Sequence, residues 1–199
     1  MTPRNFDFSA CLDLLCRDLA VRVPVLGHLD ADTILFTLSR SRAKGTHGLY
    51  ARIAPLRFDA GTLESNRRRG RYLETWRMPQ LTHKGRDILY IVTLLVPRFF
   101  RLSFQEKLRT IVHELYHVSE ECNGDIRRFP GRNFAHGSSR RSYNRTIAAL
   151  VDAYLDQGPP EELLDFLRFS EEEWQKSEVG VSSLRIAVPK ARLVTRRKA

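Results

Sequence analysis

Cysteine is scarce in this sequence, and long hydrophobic runs are missing. The three cysteines, Cys11, Cys16 and Cys122, include no CxxC pair, which argues against a disulfide framework and against a cysteine-based zinc ribbon. No stretch approaches the roughly 20 apolar residues that span a bilayer. Charged residues also interrupt the N-terminal segment, where a signal peptide needs an apolar core. These absences predict a cytoplasmic protein that does not cross a membrane.

Acidic residues are outnumbered by basic ones. The chain has 33 Lys and Arg against 23 Asp and Glu, a net charge of +10, and much of the excess lies in residues 67–71 and 190–199. An excess of this size favours contact with a polyanion, so DNA bound through a basic surface is one predicted partner. The alternative is a solvated, arginine-rich surface, since no recognisable nucleic-acid-binding motif accompanies the charge.

The hydrophobic pattern predicts one α+β domain, residues 1–189, followed by a mobile basic tail, residues 190–199. The segment 59–71 is polar and rich in arginine, which predicts an exposed loop. Helices are expected at 8–20, 104–121, 141–156 and 160–176, and strands at 33–39, 48–57, 72–78, 87–96 and 183–189. The first two strands should be joined by a turn at Lys44-Gly45.

The helix that follows Pro97 has clear start and stop signals. Ser103 is a good N-cap residue, and Glu106 three positions later completes a capping box. Asn123-Gly124 is a natural helix stop. Residues 113–117 within this helix read His-Glu-Leu-Tyr-His, an HExxH motif.

The spacing of this motif has a chemical reason. Residues four apart on a helix lie on one face, so the imidazoles of His113 and His117 can converge on one zinc ion. Glu114 lies about 100° round the helix from His113. That offset places its carboxylate beside the metal, where it can act as a general base toward water.

The motif is a fairly specific signal, because its residue frequencies predict roughly 0.01 chance matches in a chain of this composition. His113 and His117 lie opposite the apolar stripe of the helix, so they do not read as core residues. The alternative is two histidines on a solvated helix face. The apolar stripe consists of Phe104, Leu108, Ile111, Leu115 and Val118.

A catalytic zinc needs a third protein ligand and one open position. The metzincin continuation would require Gly at 120 and His at 123, and the chain has Glu120 and Asn123 instead. His136 is the favoured third ligand, and its ring should lie within about 5 Å of the other two. Glu120 and Glu121, one turn beyond His117, are the competing ligands.

Other polar residues near His136 could assist the chemistry. Tyr143 is a candidate transition-state stabiliser, with Arg140 and Arg141 as alternatives, because a tetrahedral intermediate needs a hydrogen-bond donor. Tyr143 could equally be a packing residue. Asp125 is a weaker candidate for orienting a ligating histidine through its second ring nitrogen.

The HExxH motif and the later His136-Gly137 resemble the SprT-like zincin family and the phage-type metallopeptidases that share a short HExxH helix and a single later histidine. The resemblance covers about residues 87–155. It implies a compact zincin-like fold, in which a small sheet packs on the motif helix and on following helices. It also implies zinc at His113, His117 and His136, with Glu114 catalytic.

These observations predict a zinc-dependent metallopeptidase that hydrolyses peptide bonds of a protein or peptide substrate. The strand at 87–96 is predicted to be an edge strand against which an extended peptide pairs. The alternative is a basic nucleic-acid-binding module with a structural or vestigial zinc site.

Overall fold

The structure, a computed structural model, describes residues 4–41, 48–130, 136 and 139–198. Its mixture of helices and small sheets confirms the α+β class. The helices are α1 (Phe8–Arg22), α2 (Phe104–Tyr116), α3 (Arg140–Asp156) and α4 (Glu171–Gln175). The strands are β1 (Arg4–Asp7), β2 (Ile34–Arg40), β3 (Ala51–Pro55), β4 (Glu64–Arg69), β5 (Tyr72–Arg77), β6 (Leu81–His83), β7 (Arg86–Ile88), β8 (Tyr90–Val96), β9 (Val179–Ser182) and β10 (Arg192–Lys198). None of the described helices is long and apolar enough to cross a bilayer.

The sheet that supports the site has the strand order β2-β8-β3. β8 pairs in parallel with β2 and antiparallel with β3, and nearly all of its residues are buried. The predicted hairpin of 33–39 and 48–57 is therefore wrong, since these strands flank β8 instead of pairing with each other. The turn predicted at Lys44-Gly45 lies outside the described residues. The prediction that 87–96 forms an edge strand is also wrong, because β8 is paired on both sides.

Helix α2 begins as predicted but ends early. The Ser103–Glu106 capping box is present, and the helix stops at Tyr116 with His117 as its C-cap, instead of continuing to residue 121. The chain then turns back, so that the amide of Arg127 donates to the carbonyl of His117 over 2.7 Å. Gly124 makes this return possible, because it has a φ of +90° and a Cβ there would lie 2.4 Å from a side-chain carbon of Arg57.

The predicted helix at 160–176 is wrong for most of its length. Two short 3₁₀ turns, Glu161–Leu163 and Asp165–Leu167, precede α4. The buried ammonium group of Lys107 accounts for the break, since it donates to the carbonyl oxygens of Leu167 and Phe169. A continuous helix would use those carbonyls for its own hydrogen bonds.

Two regions that were predicted to be irregular form strands of a second sheet, with the order β10-β5-β4. The segment 59–71 contains β4, and the tail 190–199 contains β10, both antiparallel to β5. Pairing with β5 satisfies the backbone groups on one side of each strand. The alternation of side chains could not reveal these strands, because arginines occupy both faces. The predicted strand at 183–189 is replaced by β9, which pairs in parallel with β1.

Candidate metal centre

The three predicted histidines lie together in the structure. Helix α2 supplies His113 and its C-cap supplies His117, while His136 comes from the segment that precedes α3. The Nε2 atom of His113 lies 3.2 Å from that of His117 and 3.4 Å from that of His136. The ring of His136 is centred 5.3 Å from that of His113 and 4.9 Å from that of His117. This cluster could hold a metal ion.

The distances from Nε2 of His113 to the other two histidines fit a tetrahedral ion. Ligands at about 2.0–2.1 Å from a tetrahedral zinc lie about 3.3–3.4 Å from one another. The Nε2–Nε2 separations from His113 to His117 and His136, 3.2 and 3.4 Å, match that edge length. Three imidazoles occupy three vertices, so a fourth position remains for water or substrate.

The protonation of the cluster also suits metal binding, because only a neutral imidazole offers a lone pair. Burial, assisted by His136, lowers the pKa of His113 to about 4. Burial, assisted by both other histidines, lowers the pKa of His117 to about 3. The pKa of His136 is lowered by burial and by the nearby guanidinium of Arg140. At neutral pH all three rings are therefore neutral.

Glu114 lies in the wall of the same site, and it is only 8% exposed. Burial raises the pKa of its carboxyl group to about 7, while a hydrogen bond from the backbone amide of Ile53 in β3 opposes that rise. A carboxyl group that titrates near neutrality is suited to take up and release a proton. His117 is 7% exposed, so the alternative of a solvated helix face is wrong.

Tyr143 packs among the three histidines and is 5% exposed. Its ring stacks on that of His117 at an interplanar angle of 22°. Its hydroxyl lies 3.5 Å from Nδ1 of His117 and 3.5 Å from the carbonyl oxygen of His113. The hydroxyl therefore faces the ring nitrogen of His117 that points away from the cluster, a geometry that suits orienting this histidine.

A cleft of about 510 Å³ opens over the histidines between β3 and α3, and Arg52, Arg140 and Asn144 are among its lining residues. It adjoins a groove of about 460 Å³ that shares His113, Glu114 and Asn144 with it. Larger cavities, of about 700, 680 and 590 Å³, contain none of the three histidines. The titratable cluster, and not the volume, therefore identifies the site.

Several predicted residues lie outside the cluster. Glu120 and Glu121 are exposed, and the described contacts of Glu120 are with Arg127, at 3.5 Å. Asp125 accepts hydrogen bonds from the amides of Ala60 and Ile126 and not from a histidine, so its predicted orienting role is wrong.

Arg140 reaches the cleft, while Arg141 is exposed and absent from its lining.

Sequence reasoning missed Asn144 and the backbone of Ile53. Asn144 lies four residues after Arg140 on α3, a spacing that could have placed both side chains on one face. The amide of Ile53 could not be found this way, because its position beside Glu114 depends on which strands flank β8.

Comparisons with known proteins give no match: no family model, no curated protein and no solved structure matches this chain. The SprT-like resemblance therefore remains a prediction that depends on the HExxH motif and His136.

Proposed function

We propose that this protein is a zinc-dependent metallopeptidase. The observation that carries the proposal is a cluster of three neutral imidazoles, in which Nε2 of His113 lies at tetrahedral spacing from both partners. The buried carboxyl group of Glu114 lies beside them, at the wall of an open cleft. Imidazole ligands suit several divalent ions, and a three-histidine tetrahedral site is typical of zinc. His113, His117 and His136 would hold the ion.

The supporting chemistry divides between the ion and the chain. Zinc, when bound, supplies Lewis-acid polarisation of a carbonyl group and lowers the pKa of water. Glu114 removes a proton from the attacking water as its oxygen bonds to the scissile carbonyl carbon. Glu114 then delivers that proton to the departing amine nitrogen as the C–N bond breaks. A pKa near 7 lets one carboxyl group perform both transfers.

The edge of β3 gives an extended peptide a place to bind. The amide of Leu95 in β8 donates to the carbonyl of Tyr50. Pairing alternates along an antiparallel ladder, so the backbone groups of Ala51 and Ile53 face away from β8. The amide of Ile53 donates to Glu114, so a peptide would pair with the amide of Ala51 and with the two carbonyl groups. These residues line the cleft. We therefore place the substrate peptide along β3, where strand addition would bring its carbonyls past the histidines.

The alternative is a structural or vestigial zinc site in a nucleic-acid-binding module. A structural zinc site has four protein ligands, whereas the cluster within the described residues has three histidines. The open position and the adjoining carboxyl group favour catalysis.

The test is the substitution Glu114→Gln, with Glu120→Gln as a matched control at an exposed glutamate three positions beyond His117. Zinc content is measured by mass spectrometry, and hydrolysis is measured on a proteome-derived peptide mixture. We expect Glu114→Gln to retain one zinc and to lower the rate by about 10²- to 10⁴-fold. The Glu120→Gln variant should retain both the zinc ion and the rate of hydrolysis. Unchanged hydrolysis in Glu114→Gln would refute the proposal.

A further inference from the structure

The second sheet gathers the two most basic segments of the chain. β4 and the following turn carry four arginines, and β10 carries three arginines and Lys198, although more than 120 residues separate them in sequence. Both strands pair with β5. We call these three strands and the turn after β4 the basic sheet; they contain nine basic residues and two carboxylates, a net charge of +7 of the +10 total.

Most of these cations have no acidic partner. Both carboxylates of the basic sheet are already paired, Glu64 with Arg77 and Glu74 with Arg196. Among the described residues, the seven other cations form no ion pair, and all of them are exposed. These seven are Arg67, Arg68, Arg69, Arg71, Arg192, Arg197 and Lys198. Their mutual repulsion is unfavourable, and a bound polyanion would relieve it.

The unpaired cations occupy both faces of the basic sheet. Side chains of directly opposed residues in a sheet share one face. Arg69 and Lys198 both oppose Tyr72, and Arg67 opposes Glu74, so these three cations share a first face with Tyr72.

The residues that oppose Leu73 and Arg77, the alternate positions of β5, lie on the second face. Arg68 and Arg197 both oppose Leu73, and Arg192 opposes Arg77. Three unpaired cations therefore point to each side of a sheet that is only three strands wide. Arg71 adds a further charge at the turn between β4 and β5, where Gly70 has a φ of +60°.

We propose that the basic sheet binds double-stranded nucleic acid by lying in a groove, with one face of the sheet toward each wall. The reason is the two-sided distribution of charge. A groove has a phosphate backbone on each wall, whereas a membrane or an acidic protein surface would meet one face. The major groove of B-DNA, about 12 Å wide, admits a two-stranded β-ribbon. The arginines contact phosphates on both walls, so binding is independent of base sequence.

The test uses three triple variants of the full chain, each losing three positive charges. The first replaces Arg67, Arg69 and Lys198 with Gln, and the second replaces Arg68, Arg192 and Arg197 with Gln. The control replaces Arg4, Arg145 and Arg185 with Gln; these residues are exposed and lie outside the basic sheet. Binding to a 20-base-pair duplex DNA of random sequence is measured by fluorescence anisotropy over a range of salt concentrations.

We expect each of the first two variants to weaken duplex binding at least tenfold. Each should also reduce, by about 2–3, the slope of the logarithm of the binding constant against the logarithm of the salt concentration. The control should change both quantities much less. Circular dichroism checks that the variants are folded. Binding does not require hydrolysis, so this test is separate from that of the proposed peptidase activity.

Three results would overturn the proposal. One is the absence of duplex binding by the unaltered chain at low salt. Another is a loss confined to one face, which indicates a one-sided partner. The third is tighter binding to phosphatidylserine vesicles or to single-stranded DNA than to the duplex.

Discussion

The hydroxyl oxygen of Tyr143 lies 3.5 Å from Nδ1 of His117, the ring nitrogen that does not face His113. A proton on Nδ1 leaves the lone pair on Nε2 free for a metal ion. A hydrogen bond from that proton to the hydroxyl would hold this tautomer and fix the plane of the ring. We therefore infer that Tyr143 acts through His117 as a positioning residue; the transition-state role considered from the sequence stays a prediction.

Replacing Tyr143 with Phe should weaken zinc binding about tenfold, because the ring remains but the partner of Nδ1 is lost. Zinc affinity is measured by competition with a chelating dye. Tyr154→Phe is the matched control, since Tyr154 is buried on the same helix and donates to Asp18, away from the site. Equal zinc affinities for Tyr143→Phe and the unaltered protein would contradict the positioning role.

His136 is the histidine whose participation the tertiary structure decides. His136→Asn should lower zinc affinity by more than about 100-fold, because loss of a direct ligand costs more than loss of an orienting partner. His83→Asn, at a histidine outside the cluster, should leave the affinity unchanged. If both substitutions leave one zinc tightly bound, the third ligand is not His136.

Zinc affinity should be insensitive to pH between about 8 and 6. The pKa of His113 is lowered to about 4 and that of His117 to about 3, so protons do not compete with the metal at the ordinary histidine value near 6.5. As pH falls toward 4, protonation should release the ion. Equilibrium zinc titrations in a pH series measure this. A decline of tenfold or more between pH 7 and 6 would show that the imidazoles titrate normally.

Lys107 should stabilise the fold without affecting the metal centre. Its side chain is 2% exposed, and burial lowers its pKa to about 8. Lys107→Met should lower the free energy of unfolding by about 2–4 kcal/mol, because the carbonyls of Leu167 and Phe169 lose their donor.

Chemical denaturation of the zinc-loaded protein tests this prediction. Lys176→Met, at an exposed lysine, is the control and should leave the midpoint essentially unchanged. A Lys107→Met variant as stable as the unaltered protein would show that the carbonyls find other partners.

Local patterns predicted much of the site. The capping box fixed the start of α2, because it depends on residues three apart. The helical period then placed His113 and His117 on one face. The end of α2 was predicted less well, since it depends on the return of the chain that brings Arg127 to the carbonyl of His117.

The strand order was beyond such reasoning. Apolar runs identified β2, β3 and β8, but a run of buried residues does not state which neighbour a strand pairs with. β8 became the central strand and β3 the edge, which moved the proposed peptide-binding edge from one segment to the other. The arginine-rich segments also form strands, because their backbone hydrogen bonds to β5 do not depend on the charge of the side chains.

The sequence by itself determined the α+β class, the helix that carries HExxH and the pairing of His113 with His117, since these follow from periodicity and short-range spacing. Only the tertiary structure decided that His136 meets the other two, that Ile53 faces Glu114 and that two distant basic segments share one sheet. The physical reason is that these contacts join residues far apart in the chain. Their proximity is set by packing and strand pairing across the whole domain, and no local pattern encodes it.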